Sequence, residues 1–130
     1  MVLTRLAPVL YVEAIEPALP FWIERLGFTN TAEVAEGDRL GFVILERDGI
    51  QIMYQTRDSV HADVPELTDT PMGGSLLFIE VDDLDSIDEA LEGVERVIPR
   101  RKTFYGADEL IVREPCGNVV TFARFAVQAG

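Results

Sequence analysis

Few side chains in this sequence could act as nucleophiles or soft metal ligands. The chain has one histidine, His61, and one cysteine, Cys116. His61 lies in a polar stretch, where a lone histidine is more often a surface residue than a ligand. Cys116 lies in a turn with no histidine near it in the sequence, so nothing there would lower its pKa to make a catalytic thiolate. The Gly73-Gly74 pair lacks the Lys-Ser/Thr and the helix start of a phosphate-binding loop.

The charge of the chain limits its partners. It has 23 acidic and 11 basic residues, a formal net charge of −12. Such a surface repels phosphate backbones and anionic lipids, so we expect neither nucleic acid nor membrane as a partner. It favours a cationic ligand, although acidic residues that serve only solubility would give the same excess.

The location is predicted from three features of the sequence. No apolar run approaches the ~20 residues that span a bilayer. Met1–Arg5 lacks the apolar segment of a signal peptide. A single cysteine cannot form an internal disulfide and fits a reducing compartment. We therefore expect a cytoplasmic protein.

The hydrophobic pattern predicts a single domain in which one helix and four strands occur twice. In the first set, strands are predicted at 6–12, 28–34, 39–46 and 50–55, with a helix at 16–26. In the second set, strands are predicted at 75–81, 94–99, 109–113 and 118–125, with a helix at 84–91. Module 1 covers about 5–56 and module 2 about 75–126. The polar segment between them, about 57–74, is predicted to be a linker or mobile loop without secondary structure.

The two sets follow the same pattern at a fixed offset. Val12–Glu16 matches Val81–Asp85 at an offset of 69 residues, and the helices follow in the same phase. The inner face of the first helix is a helical stripe, which makes Trp22 a core residue rather than a ligand contact. Its members are Ile15, Leu19, Trp22 and Leu26. We interpret the repetition as an internal duplication of a βαβββ unit.

Three segments resemble the vicinal oxygen chelate superfamily, which includes glyoxalase I, extradiol dioxygenases and bleomycin-resistance proteins. They are Pro8–Phe28, Phe78–Leu84 and Val112–Phe122. The resemblance implies an α+β fold in which two tandem βαβββ modules form an open, cup-shaped mixed sheet, with helices on the convex face. The proline-containing first strand and the Phe21-Trp22 pair are most similar to the bleomycin-resistance branch.

The resemblance also locates the positions that hold a divalent metal in catalytic members of the superfamily. Carried over one position at a time, they are Ala7, Gln51, Leu76 and Thr121. Ala7 and Leu76 match at an offset of 69, and Gln51 and Thr121 at 70. Alanine and leucine carry no donor atom, threonine is a poor ligand and one glutamine is not a site. We therefore predict no metal and no cofactor.

The alternation of side chains along a strand predicts what lines the cleft instead. If the metal positions face the cavity, so do Val9, Met53, Phe78 and Ala123. The alternate residues should face the helices; they are Leu10, Val12, Ile50, Ile52, Leu77, Ile79, Val120 and Phe122. The predicted ligand-binding residues are Phe42, Met53, Leu76 and Phe78, with Phe104 and Tyr105 at the rim. The same residues could equally fill the cup or pack against a partner subunit.

Two functions follow from these features, and a purely structural role is a third. The first is a metal-free protein that sequesters a cationic or aromatic compound, as the antibiotic-resistance branch does; the resemblance then implies a homodimer and no catalytic residues. The second is a divalent-metal enzyme of the same fold, a lyase or dioxygenase, with ligands recruited from Glu13, Glu80, His61 or Asp63. Of these, binding without catalysis is the function that the sequence favours.

Overall fold

The computed structural model describes residues 1–126, and these form two compact units that divide after Gly73. We call the unit up to Gly73 the first module and the unit that starts at Gly74 the second module. Each module contains a four-stranded mixed sheet with helical segments against it. The predicted βαβββ duplication is therefore confirmed. Among the described residues, none of the helices has the length and apolar composition needed to cross a bilayer.

The sheet of the first module has the order β1-β4-β3-β2. Its strands are β1 (Val9–Val12), β2 (Thr29–Glu36), β3 (Arg39–Arg47) and β4 (Ile50–Thr56). β1 pairs with β4 in parallel, whereas β2–β3 and β3–β4 are antiparallel. Asp48 and Gly49, which connect β3 to β4, both have positive φ angles, as a tight hairpin turn requires.

The predicted helix at 16–26 is present but is not a regular α-helix. A 3-10 turn at Glu16–Ala18 is followed by a π-helical segment at Pro20–Arg25. Pro17 and Pro20 donate no backbone hydrogen bond, which prevents a regular α-helical ladder through this region. The predicted stripe still faces the core: Trp22 is fully buried, and its indole Nε1 donates to Tyr54 Oη at 2.7 Å.

The segment predicted as a structureless linker is folded. It contains helix α1 (Arg57–Asp63) and a 3-10 turn at Pro65–Leu67. Thr56 caps α1, because its hydroxyl accepts from the backbone N–H of Ser59 at 3.2 Å. Val60 is buried, and the Tyr11 hydroxyl donates to the Thr68 carbonyl at 2.7 Å. The prediction was wrong because most of the segment is polar and exposed, so its sequence shows no core-facing pattern. A few contacts anchor it instead.

The second module repeats the topology with the order β5-β8-β7-β6. Its elements are β5 (Leu76–Glu80), α2 (Leu84–Ala90), β6 (Arg96–Lys102), β7 (Ala107–Arg113) and β8 (Val119–Phe125). β6 runs three residues beyond its predicted end at Pro99. Pro99 is tolerated because it lies on an edge strand, at an irregularity in the pairing between Ile98 and Arg101.

Each sheet has a helix face, which is packed against helical segments, and an opposite face that we call the open face. The predicted alternation is confirmed at most positions: Leu10, Val12, Ile52, Val120 and Phe122 are buried on the helix faces. Ile50, predicted among them, is instead partly exposed at the β3–β4 hairpin. Pairing places the following residues on the open face of the second module: Leu76, Phe78, Ala107, Glu109, Ile111, Thr121, Ala123 and Phe125.

Candidate functional site

Four aromatic side chains lie in a row across one end of the open face of the second module. We call them the aromatic strip: Phe78, Phe125, Tyr105 and Phe104. The ring centroids of Phe78 and Phe125 are 6.3 Å apart, and those of Phe125 and Tyr105 are 6.0 Å apart. Phe104 packs on Tyr105 edge to face at 5.1 Å. Phe78, Tyr105 and Phe104 are all exposed, so the strip offers its rings to a ligand.

Three elements of the second module position the strip. Phe78 is on β5, opposite Thr121 of the neighbouring β8. Phe125 ends β8, opposite Ala107. Phe104 and Tyr105 are in the turn between β6 and β7, which the hydroxyl of Thr103 closes by accepting from the Ala107 N–H at 3.0 Å.

A buried carboxylate lies beside the strip. Glu109 is on β7, and only 2% of its side chain is exposed. Its Oε1 accepts from Nε and Nη2 of Arg101, at 3.1 and 2.9 Å, and its Oε2 accepts from the Tyr105 hydroxyl. A buried carboxylate requires such partners, so Glu109 fixes Arg101 and Tyr105 in place. Tyr105 therefore belongs both to the aromatic strip and to this polar cluster.

The structure brings together three of the predicted ligand-binding residues, Phe78, Phe104 and Tyr105. Leu76 lies on the same strand face as Phe78, two residues earlier, and is also exposed. The two predicted residues of the first module differ. Met53 is 91% buried and Phe42 is half-buried, so they present little surface on their own open face.

Sequence reasoning missed Arg101, Glu109 and Phe125 as site residues. The sequence does carry a signal for Glu109: this acidic residue lies on the same face of β7 as the apolar residues Ala107 and Ile111. A charge at an inward position of an otherwise apolar strand needs a partner. Arg101 could not have been identified in the same way, because the irregularity in β6 decides which of its residues lies opposite Glu109.

The four positions that the sequence resemblance assigns to a metal, Ala7, Gln51, Leu76 and Thr121, do not fit a divalent ion. The side chains of Ala7 and Leu76 have no atom that can coordinate a metal. Of the two positions in the second module, only Thr121 could therefore contribute a ligand, through its hydroxyl. Gln51 donates through Nε2 to Glu46 Oε2 at 2.9 Å, while its Oε1 is buried without a hydrogen-bond partner. One amide oxygen is too little for a hard cation. Within residues 1–126 no group of three or more His, Cys, Asp or Glu could hold a metal ion either.

The strand register changes the alignment of the two modules in this region. Val9 lies opposite Met53, and its counterpart Phe78 lies opposite Thr121. The ladders therefore align Met53 with Thr121 at an offset of 68, not Gln51 with Thr121 at 70. The turn glycines Gly49 and Gly117, both with positive φ, agree with the offset of 68. The sequence-based offset was wrong because the connections before the last strands differ in length.

His61 and Cys116 differ in exposure: His61 is exposed, and Cys116 is half-buried. His61 Nδ1 is 3.2 Å from the Thr68 hydroxyl, at the exposed end of α1. Burial, together with the charge of Glu114, raises the pKa of the Cys116 thiol to about 12. A thiol of that pKa is protonated at neutral pH and is a poor nucleophile.

A cavity of about 310 Å³ opens in the second module next to the turn that carries Phe104 and Tyr105, and Lys102, Asp108 and Arg124 are among its lining residues. The charged side chains that line this cavity already have partners within the protein. Lys102 pairs with Asp108 at 3.2 Å, and Arg124 donates to the carbonyl of Asp82 at 3.0 Å. The aromatic strip, which offers unengaged apolar surface, is the stronger candidate.

Comparison with known proteins identifies the architecture. No protein-family model matches the chain, and comparison with curated proteins finds no significant match. Solved structures do match. A glyoxalase/bleomycin resistance protein/dioxygenase from Nocardioides is 20% identical, with a TM-score of 0.71 over 99% of this chain and 93% of that one. TioX from Micromonospora sp. ML1 is 16% identical, with a TM-score of 0.75 over 95% of this chain and 99% of that one.

A third similar structure comes from the mobile metagenome of V. pseudocholerae. It is 24% identical, with a TM-score of 0.70 over 98% of each chain. At these identities the likeness establishes the fold, and it confirms the fold that the sequence resemblance implied.

Proposed function

Because this chain has the fold of the vicinal oxygen chelate superfamily, we propose that it is a metal-free binding protein that sequesters an aromatic, cationic small molecule. The observation that carries the proposal is the aromatic strip. Exposed aromatic side chains grouped on one face of a sheet are typical of a binding surface. Their π-faces attract a flat ring by stacking, and they attract a cation in addition.

Two further observations support binding without catalysis. The metal positions of the fold lack the donor set that its catalytic members use, so a metal-dependent reaction would need ligands from elsewhere. The net charge of −12 raises the local concentration of cations around the protein. The similar Nocardioides structure is that of a glyoxalase/bleomycin resistance protein/dioxygenase, and a related resistance role, by sequestration in the cytoplasm, fits these properties.

The test is a fluorescence titration with 9-aminoacridine, a planar aromatic cation. The probe's own emission is the readout, because the single tryptophan, Trp22, is buried in the core of the first module. We expect saturable binding that weakens about fivefold to tenfold in Phe78→Ala, as the loss of one stacking partner predicts.

Leu67→Ala is the matched control. Leu67 is 53% exposed and Phe78 is 54% exposed, so both substitutions remove a similarly accessible apolar side chain. Binding in this control should equal that of the wild type. The proposal fails if 9-aminoacridine does not bind, or if the two variants bind it equally well.

The proposal includes a homodimer, as in the bleomycin-resistance branch. Light scattering coupled to gel filtration should give about twice the monomer mass of 14.5 kDa. A monomer that still binds 9-aminoacridine through Phe78 would remove the dimer from the proposal and leave the binding site intact.

A further inference from the structure

Resting on the proposed function, we infer that the bound aromatic compound carries a planar oxygen acceptor conjugated to its ring, a carbonyl or carboxamide, and that Arg101 binds this oxygen. The aromatic strip alone would accept any flat ring. The polar cluster beside it adds a directional requirement that the strip does not have.

The hydrogen bonds of Arg101 show what it has left to offer. A guanidinium group has five N–H donors. Nε and Nη2 of Arg101 both donate to the same oxygen, Glu109 Oε1, because the Tyr105 hydroxyl occupies Oε2. No hydrogen bond from Nη1 is found within residues 1–126. The edge formed by Nη1 and Nη2 therefore remains available as a pair of parallel donors, which suits a planar oxygen acceptor.

Glu109 itself is not a receptor for a ligand cation. Both of its carboxylate oxygens already accept hydrogen bonds, and it is 2% exposed, whereas Arg101 is 51% exposed. A ligand that reaches this cluster meets the arginine and not the carboxylate. The role of Glu109 is to hold the guanidinium in one orientation, so that Arg101 is a positioned donor rather than a freely rotating surface charge.

The arginine and the rings belong to one surface because Tyr105 takes part in both. Its hydroxyl donates to Glu109, and its ring lies between those of Phe104 and Phe125. A ring that stacks on the strip at Tyr105 is thus beside the cluster that holds Arg101. The overall negative charge and this local positive group act at different ranges. The net charge selects which molecules approach, and Arg101 then selects for an acceptor oxygen on the ring.

The test compares 9-aminoacridine with its 2-carboxamide, which has the same cationic ring and adds a carbonyl. In the wild type we expect the carboxamide to bind about tenfold more tightly, which corresponds to about 1.4 kcal/mol. Arg101→Gln alone would leave a buried carboxylate without its cation, so the informative variant is the double substitution Arg101→Gln/Glu109→Gln. In this variant the two compounds should bind equally.

Lys102→Gln is the control for the loss of a neighbouring positive charge. Lys102 follows Arg101 in β6 but pairs with Asp108, on the opposite sheet face to Glu109. It should keep the tenfold preference. The inference is overturned if the wild type shows no preference for the carboxamide, if the double variant keeps it, or if Lys102→Gln loses it equally. These results leave the proposed function standing, whereas failure of both compounds to bind overturns the two proposals together.

Discussion

The open faces of the two modules differ, although the modules share one topology. In the first module, Met53 is almost buried, and Gln51 and Glu46 bond to each other. In the second, the exposed position that Val9 holds in the first module carries an aromatic ring, Phe78, and a buried carboxylate holds an arginine and a tyrosine. The duplicated backbone is therefore a common scaffold, and the open-face side chains decide which copy carries the aromatic strip and the polar cluster.

The largest expected effect is a loss of stability on the helix faces of the two sheets. There, unlike on the open faces, the two modules should behave alike. Trp22 and Leu91 lie 69 residues apart, and both are fully buried. Trp22→Ala should lower the free energy of unfolding by about 3–5 kcal/mol and Leu91→Ala by about 2–5 kcal/mol. The tryptophan should cost more, because its removal also takes the indole donor from Tyr54.

Urea unfolding followed by circular dichroism measures both changes. Leu67→Ala, at an exposed position, should change the free energy of unfolding by less than about 0.5 kcal/mol. A larger loss for Leu91→Ala than for Trp22→Ala would contradict the extra cost assigned to the indole hydrogen bond with Tyr54.

The second prediction concerns the carboxylates of the two open faces. Arg101→Gln should cost about 1–3 kcal/mol of stability, because Glu109 would stay buried with Tyr105 as its remaining partner. Gln51→Ala should cost under about 0.5 kcal/mol, since it also removes a buried amide oxygen that has no hydrogen-bond partner. The same urea experiment measures both, and equal losses would contradict the difference drawn between the two faces.

The third prediction concerns the helical segment that follows the last strand of the first module. Thr56→Ala removes the cap of α1 and should lower the free energy of unfolding by about 1 kcal/mol. Thr56→Ser keeps the hydroxyl and should retain most of the stability. If the alanine variant is as stable as the wild type, the segment 57–73 is not anchored through this cap.

The smallest effect is a pH dependence at the cap of α2. The Ser86 hydroxyl, followed by the Ser86 backbone N–H, holds the pKa of Asp83 below its usual value of 3.8. Because this pKa is lowered in the folded state, the stabilisation by Asp83 is present above pH 3.8. It is lost as the pH falls through the lowered value. NMR titration should show the pKa of Asp83 moving back toward 3.8 in Ser86→Ala.

The neutral Thr56 cap of α1 provides the contrast. The cost of Thr56→Ala should be the same on both sides of pH 3.8. An Asp83 pKa that does not respond to Ser86→Ala would show that the serine hydroxyl is not what lowers it.

The fold could be predicted from the sequence because its signals are local and repeated. The turns at Gly27, Gly49 and Gly117 and the apolar stripe that contains Trp22 each specify an element from a few neighbouring residues. Segment 57–73 escaped prediction because its order depends on single contacts to distant residues, such as Tyr11 to Thr68. Of the residues in the candidate site, Phe78, Phe104 and Tyr105 could be identified from the sequence as apolar residues on a face or in a turn, whereas the polar cluster could not.

The sequence by itself determined the duplication, the two sheets with their helix faces, and the absence of donor groups from two of the metal positions. These follow from periodicity and residue type, which do not depend on what packs nearby. Only the tertiary structure decided the strand register and the contacts that the register creates. It aligned Met53 with Thr121, placed Arg101 opposite Glu109 across an irregular strand pair, and joined Phe78 to Tyr105 through Phe125. A shift of one residue in a ladder moves each side chain to the other face, so such pairs are fixed by the assembled sheet and not by the order of residues along the chain.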